Sequence, residues 1–452
     1  MQVLMLQFVE PRPDTPLRVF SHCLGTLAAM LEAEGFVCRL VPLAGHHPDV
    51  LRQAIIEHRP RYVLADLDLY SVDAAHRTIE DIAEGFSIPV AVLGRYATCC
   101  PAQAASIPGV HALVLGEYEA AAVALLRAFR DRVDPEGLDG LWVNSPDGLV
   151  KGDLRPLPAD LDALPFPDRA LFDYQQIVDA TGQAEFKVAR GCGLWCAYCI
   201  NDWYMDLYAD AGPFVRRRSP SNVLDEIRQV VTQYRGVKSV GFYDHCFAAD
   251  ADWLGRFARQ YPKRCHLPYR CHVRLDHVTP ALAATLARSM CRTVHVQIGS
   301  GSRFIREEIL SMRLSNDDIL SACRTLRQAD LTVCADVFIG CPYESEITIE
   351  ETLSLVRQTE VDEIHPRVYY PTPGTRAAEL CAENGWTSGR SESGYWRQRS
   401  VLDMPSLSAA EIGAVVEKFP RLLKGSPATG LAKLLRRVSR SRRRGLRRLL
   451  DR

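Results

Sequence analysis

The stretch Arg190-Gly191-Cys192-Gly193-Leu194-Trp195-Cys196-Ala197-Tyr198-Cys199 sets three cysteines at the spacing Cys-x-x-x-Cys-x-x-Cys. Three thiolates this close in the chain can converge on one metal centre. A structural zinc site takes four ligands, usually as two separated pairs, and no fourth cysteine follows before Cys246. An incomplete thiolate set suits an iron–sulfur cluster with one iron open to a substrate or cofactor. Two plainer readings stand beside it: three unconnected thiols in a cysteine-rich chain, and a zinc site completed from a distance.

The 452 residues around this stretch have room for two or three domains. Apolar residues make up 47% and charged residues 24%, and no apolar run nears the length of a membrane span. Met1–Glu10 lacks a basic leader and a cleavage site, so it reads as a first strand instead of a signal peptide. Fifteen cysteines without a secretion signal point to reduced thiols in the cytoplasm. The net charge of -1 hides a tail, Lys433–Arg452, with ten basic residues and one Asp, which leaves the rest about ten charges negative. Such a tail reads as a solvated helix or a disordered end. Leu434, Leu435, Val438, Leu446, Leu449 and Leu450 interrupt it at loosely helical spacing, which also permits contact with a membrane surface. No appended nucleic-acid-binding domain is evident, so no specific nucleic-acid partner is expected.

From Met1 to about Arg132, short apolar runs alternate with amphipathic segments. Val3–Val9, Val37–Leu43, Tyr62–Leu69, Pro89–Leu93 and His111–Leu115 read as strands, and Phe20–Glu34, Asp49–His58, Val72–Phe86 and Glu119–Arg130 as helices. The rhythm predicts an α/β, doubly wound sheet of Rossmann or flavodoxin type over residues 1–133. Ligands of such folds sit outside the carboxyl ends of the strands, here the loops Glu10–Leu17, Asp66–Ser71, Gly94–Pro101 and Gly116–Glu119. Gly94 and Gly116 either admit close approach of a bulky ligand or serve as turn residues. Residues 134–180, dense in Pro and Asp, read as an ordered connector, since proline fixes extended chain and Leu, Phe and Tyr recur.

Alternation resumes over residues 181–386. Glu185–Ala189, Ser239–Tyr243, Tyr269–Val273, Thr293–Ile298, Thr332–Ile339 and Glu363–Tyr370 read as strands, with helices such as Pro220–Tyr234, Pro280–Ser289 and Asn316–Ala329 between them. Six strand–helix units predict a partial barrel of TIM type, with its site at the C-terminal strand ends. Residues 387–452 read as a small helical region, with a helix near Ala409–Leu423 before the basic tail.

The cysteine triad, with Tyr198 just before its third member, resembles the radical S-adenosylmethionine (SAM) superfamily. That resemblance implies a 4Fe-4S cluster on Cys192, Cys196 and Cys199 whose free iron chelates SAM. It implies cofactor contacts for Tyr198, for Asp244 (methionine ammonium), for Arg274 (a carboxylate) and for Gln297 and Ser300 (ribose or carboxylate). Phe338-Ile339-Gly340-Cys341-Pro342-Tyr343-Glu344 is similar to the family's fifth-strand element, which sets Gly340 against adenine, and Tyr369–Thr375 to its sixth-strand ending. Gly299 stands where the family usually has glutamate. Cys341 is the favoured catalytic thiol by position, as hydrogen-atom donor or methyl carrier; a buried core cysteine is the plainer reading.

The N-terminal segment is similar to the cobalamin-binding domain that precedes many such enzymes, through Pro11–Pro16, Leu31-Glu32-Ala33-Glu34-Gly35 and Leu115-Gly116-Glu117-Tyr118-Glu119. The resemblance implies cobalamin contacts at Gly94, Gly116, Glu117 and Glu119. It also matches the connector's Gly140-Leu141 and Leu164-Pro165-Phe166-Pro167. No Asp-x-His-x-x-Gly offers an imidazole to cobalt, Arg95-Tyr96 stands where relatives carry small residues, and His46-His47 reads as a surface pair. The function implied is a cobalamin-dependent radical SAM methyltransferase acting on a poorly activated carbon, where polar transfer from a sulfonium is slow and the cofactors carry the hard chemistry. It calls for a small-molecule or peptide substrate and an external electron donor such as flavodoxin or ferredoxin. Alternatives are a radical cyclisation, rearrangement or oxidation, and a non-catalytic iron–sulfur protein.

Overall fold

Continuous runs of buried aliphatic residues build the first sheet. The computed structural model describes residues 1–9, 19–69, 71–387, 399–424 and 430–438. Among them, seven strands, β1 (Gln2–Phe8), β2 (Val37–Leu43), β3 (Tyr62–Asp66), β4 (Val90–Leu93), β5 (Val110–Val114), β6 (Leu141–Ser145) and β7 (Gly148–Lys151), lie in the order β2-β1-β3-β4-β5-β6-β7. Val3 to Leu6 on β1 and Tyr62 to Ala65 on β3 are fully buried, the pattern of strands covered on both faces. The flanking helices are α1 (His22–Ala33), α2 (Pro48–His58), α3 (Val72–Gly85), α4 (Arg95–Cys99), α5 (Pro101–Ala105) and α6 (Glu119–Asp131). β1 to β5 are parallel, in flavodoxin-like order, with the switch point between β1 and β3.

Residues 134–180 contribute more than a connector. The hairpin β6–β7 turns at Pro146-Asp147 before Gly148 and extends the sheet antiparallel, with Val143 opposite Ala112. α7 (Tyr174–Thr181) follows. The unit holding this sheet comprises Met1–Ala184, Tyr208–Arg216 and Gln229–Val237; the second comprises Glu185–Leu207, Arg217–Arg228 and Lys238–Arg452. The expected ligand loop Glu10–Leu17, with Pro11–Pro16, lies wholly outside the described residues. So do most of residues 392–401 and the basic tail beyond Val438.

The second sheet begins with β8 (Gln183–Phe186). Along the chain come β9 (Ala189–Arg190), α8 (Ile200–Leu207), β10 (Arg216–Arg217), α9 (Pro220–Gln233), β11 (Ser239–Phe242), α10 (Ala251–Arg264), β12 (Tyr269–His272) and α11 (Pro280–Arg288). They are followed by β13 (Cys291–Gly299), α12 (Asn316–Gln328), β14 (Thr332–Ile339), α13 (Glu346–Thr359), β15 (Glu363–Val368), α14 (Arg376–Glu383) and α15 (Ala409–Lys424). Six strands form the sheet in the order β15-β14-β13-β12-β11-β8, and the pairs from β11 through β15 are parallel. Side-chain oxygens start the helices: Ser315 and Asp318 form a capping box on α12, and Ser345 and Thr348 form one on α13. Val294, Val296, Ile298, Val333, Ala335 and Val337 are buried, whereas His295, Gln297, Asp336 and Phe338 of the alternating face are only half-buried. That second face is polar, and its strand ends carry the site.

Candidate functional site

The cysteine loop is held at both ends. Asp244, buried just after β11, accepts hydrogen bonds from the backbone of Val188 (2.9 Å) and Ala189 (2.7 Å) and so pins the chain entering β9. Beyond, Ala197 donates to Leu310 O at 3.1 Å and accepts from Ala377 N at 3.0 Å. Arg376 of α14 reaches Asp202 at 3.0 Å and the carbonyl of Trp195 at 3.2 Å. A tight turn, Cys199 N to Cys196 O at 2.9 Å, sets the second and third thiols on one bend.

Cys192 and Cys196 are buried and Cys199 is half-buried. Burial, then the neighbouring Cys199 and Cys192, push the Cys196 thiol up to about 12, against a hydrogen bond from Tyr198 and the charge of Arg274. Tyr198 is itself raised by burial and packs edge-on against Phe338, with centroids 4.9 Å apart. A further thiol from the β11 loop approaches the first of the three: Cys246 Sγ lies 3.4 Å from Cys192 Sγ. Within that pair Cys246 is the more acidic, helped first by the hydrogen bond from Cys192 and then by Arg274 and Arg217. Cys192 is raised correspondingly. Nothing in the local sequence pattern signals this approach, because the two residues stand 54 positions apart.

The other expected residues fall at neighbouring strand ends. Arg274 follows β12 and pairs with Asp276 at 2.9 Å. The Gln297 amide donates to Asp336 O at 3.3 Å. Ser300 is wholly buried, its hydroxyl 3.2 Å from that of Thr352 and accepting from Ser302 N. Gly299 has φ +76, and a Cβ there would meet Met312 Sδ at 2.7 Å, so the glutamate expected by resemblance has neither the backbone nor the space. Gly340 donates to Glu344, and Ile412 of α15 fills the space beside its Cα. Cys341 is fully buried, which raises its thiol well above the ordinary range. Glu344 is fully buried too; burial pushes its carboxyl up to about 8, and its Oε1 has no hydrogen-bond partner among the described residues.

In the first unit, the loops after β3, β4 and β5 meet at one end of the sheet. A Cβ on Gly94 would overlap Asp66, and one on Gly116 would overlap the Tyr208 hydroxyl, so at both positions glycine admits the chain's own side chains. Tyr208 also accepts from Glu117 N at 3.1 Å, and Arg216 forms an ion pair with the Glu117 carboxylate. Glu119 is buried at the start of α6. Asp68 pairs with Arg95, while burial and the charge of Asp68 push Asp66 up to about 7. His76, in the first turns of α3, lies 6.0 Å from the Tyr96 ring, and its buried Nε2 has no hydrogen-bond partner among the described residues. In the sequence that imidazole looks like one polar position of an amphipathic helix. His46 is tied to Asp81 at 2.7 Å.

A family model for the radical SAM superfamily matches residues 186–356. Threonylcarbamoyladenosine tRNA methylthiotransferase MtaB of Bacillus subtilis (strain 168) is 23% identical over 301 residues, which cover 64% of this chain and 60% of that protein. The uncharacterized methyltransferase PH0819 of Pyrococcus horikoshii is 22% identical over 313 residues, covering 69% and 66%. The chain thus spans less than two thirds of the length of these curated relatives. Among solved structures, the radical SAM methyltransferase TsrM from Kitasatospora setae, with cobalamin and a 4Fe-4S cluster bound, superposes with TM-score 0.67 at 18% identity, over 86% of this chain and 76% of its own. The cobalamin-dependent SAM radical enzyme OxsB, with aqua-cobalamin and SAM bound, gives 0.66 at 14% identity, over 85% and 55%. Residues 186–356 are therefore a radical SAM domain, set in a chain that shares the fold of cobalamin-dependent radical SAM enzymes.

Proposed function

We propose that the chain is a cytoplasmic, cobalamin-dependent radical SAM enzyme that transfers a methyl group to a poorly activated carbon of a small-molecule or peptide substrate. The observation that carries this reading is the loop of three thiols, with Arg274 beside it, inside a radical SAM domain that follows a flavodoxin-like sheet. The donor chemistry fits a cluster, since three sulfurs come from one short loop and a cation is at hand to offset their negative charge. The first unit leaves room for a polar partner at His76 of α3, whose Nε2 is buried beside Tyr96 without a hydrogen-bond partner among the described residues. When bound, the cluster with SAM supplies a carbon-centred radical, and cobalamin a transferable methyl group.

The chain's own residues then have defined tasks. Cys192, Cys196 and Cys199 would hold the cluster, which displaces their protons on binding. Tyr198 donates to Cys196 and favours its thiolate, and Asp244 keeps the loop from swinging away. Arg274 and Gln297 would bound the SAM side, whereas Ser300 is wholly buried and Gly340 is covered by Ile412 of α15. Gly94, Gly116, Glu117 and Glu119 would shape the loops of the cobalamin side through Asp66, Tyr208 and Arg216, not by direct contact. Cys341 is fully buried, which supports the plainer reading of a core cysteine over a thiol that meets the substrate. Reduction of the cluster needs an external donor of flavodoxin or ferredoxin type.

Anaerobic reconstitution with iron and sulfide, with and without cobalamin, tests the proposal. The wild type is expected to bind about four irons, to retain cobalamin, and to form methylated product together with 5′-deoxyadenosine and S-adenosylhomocysteine. The triple variant Cys192→Ala, Cys196→Ala, Cys199→Ala should hold no cluster. Deoxyadenosine without methylated product would replace methyl transfer by cyclisation, rearrangement or oxidation. No reductive cleavage despite an intact cluster would leave a non-catalytic iron–sulfur protein.

A further inference from the structure

On the polar face of the second sheet, one register row crosses four neighbouring strands. His272 of β12 pairs with His295 of β13, His295 with Cys334 of β14, and Cys334 with Glu363 of β15. On the next rung of this face, Asp336 pairs with His365. Adjacent parallel strands lie about 4.8 Å apart, so such a row brings its side chains into contact. The imidazoles of His272 and His295 stack with centroids 5.0 Å apart, and those of His295 and His365 with centroids 6.5 Å apart. At the end of the row three donor atoms converge. Cys334 Sγ and His365 Nε2 each lie 3.5 Å from Glu363 Oε2, and all three donors fall within 4.8 Å of one another.

A tetrahedral ion with bonds of about 2.0–2.3 Å spaces its ligands by about 3.3–3.8 Å. The two spacings to Glu363 Oε2, 3.5 Å each, already match such an edge, and the third lies within 4.8 Å. Thiolate, imidazole and carboxylate together suit zinc and its neighbours, not calcium or magnesium, which prefer oxygen alone. Cys334 is buried, while Glu363 and His365 are partly open to solvent on the edge strand, so an ion has a way in. Asp336 is already paired with Arg367 at 3.2 Å, and Asp362 ties the start of β14 by accepting from Val333 N at 2.8 Å. Cys334 sits near the amino end of β14, six residues before Gly340. At about 3.3 Å per residue, it is roughly 20 Å from the strand end that carries the cofactor site.

We propose that Cys334, Glu363 and His365 form a second metal site, which binds one zinc-class divalent ion and leaves a fourth position to water. The ion joins β15 to β14, and His295 stacked on His365 sets the orientation of that ring. The site lies beyond the radical chemistry proposed above and does not depend on it.

Metal analysis of the full chain tests the site. After incubation with zinc alone and desalting, the variant lacking Cys192, Cys196 and Cys199, whose thiols would themselves take zinc, should retain one zinc per chain. Cobalt(II) in its place should give a thiolate-to-cobalt charge-transfer band. In that background Cys334→Ser should abolish the band, and His365→Ala should weaken binding by more than about 100-fold, beyond the cost of losing an outer-shell partner. Should Cys334→Ser fail to fold, as judged by circular dichroism, His365→Ala and Glu363→Gln at the more open positions carry the test. Absence of stoichiometric zinc from the variant lacking the cysteine triad would overturn the site. So would binding there that survives Cys334→Ser and His365→Ala together.

Discussion

Arg306 carries a guanidinium into the second unit with no exposed surface, and its partners are neutral: Ser300 O at 2.6 Å, Leu314 O at 2.7 Å and Asn316 Oδ1 at 2.8 Å. It ties the turn after β13 to the start of α12. Arg306→Ala would leave these acceptors buried and unpaired, so urea unfolding should show a loss of about 2–4 kcal/mol. Arg306→Lys should recover only part, lacking the planar fork. Glu344 acts through pH. Its folded-state pKa of about 8 lies above the ordinary 4.5, because burial outweighs the Gly340 and Cys341 N–H groups that favour the anion. The folded chain therefore holds a proton that the unfolded chain has released, and stability is lost as pH rises through about 8. In denaturant midpoints measured from pH 5 to 9, Glu344→Gln should flatten that decline.

At the level of elements, β13 shows why one expected residue is missing. The β13–β14 register shifts between Gln297 and Gly299, and Gly299 takes up the irregularity at φ +76 against Met312. An L-residue there is strained whatever its side chain. Gly299→Ala should lower thermal stability by about 1–3 kcal/mol, and adding Met312→Ala should return only the part due to crowding. The hairpin β6–β7 gives the converse lesson. Asp147-Gly148 is a legible turn signal, yet the surrounding Pro and Asp read as a connector, and only pairing with β5 makes these residues an edge of the first sheet.

Across the whole molecule, burial sets two opposing groups of titrations. It holds His76, His111, His272, His277 and His295 below the usual imidazole range, His272 at about 3. These contribute stability above about pH 6.5 that is lost as pH falls, because the unfolded chain then gains protons the fold excludes. Asp66 at about 7 and Glu344 at about 8 act in the opposite sense. Acidification from pH 8 should first stabilise the protein and then destabilise it, with a maximum near about pH 6.5. Calorimetry across pH 4 to 9 checks this, and His272→Gln should soften the acid limb.

The sequence by itself determined the two α/β sheets and the thiol loop. Strands of the first sheet, covered on both faces, write continuous apolar runs, those of the second alternate apolar with polar residues, and the Cys-x-x-x-Cys-x-x-Cys spacing is complete within ten residues, Arg190 to Cys199. Tertiary structure alone decided what surrounds them. Cys246 reaches Cys192 across 54 positions, Tyr208 reaches Glu117 across 91, and Arg216 reaches it across 99. The row from His272 through His295 and Cys334 to Glu363 exists only because four strands settle in one register. Register follows from the packing of the whole sheet, and no single segment encodes it.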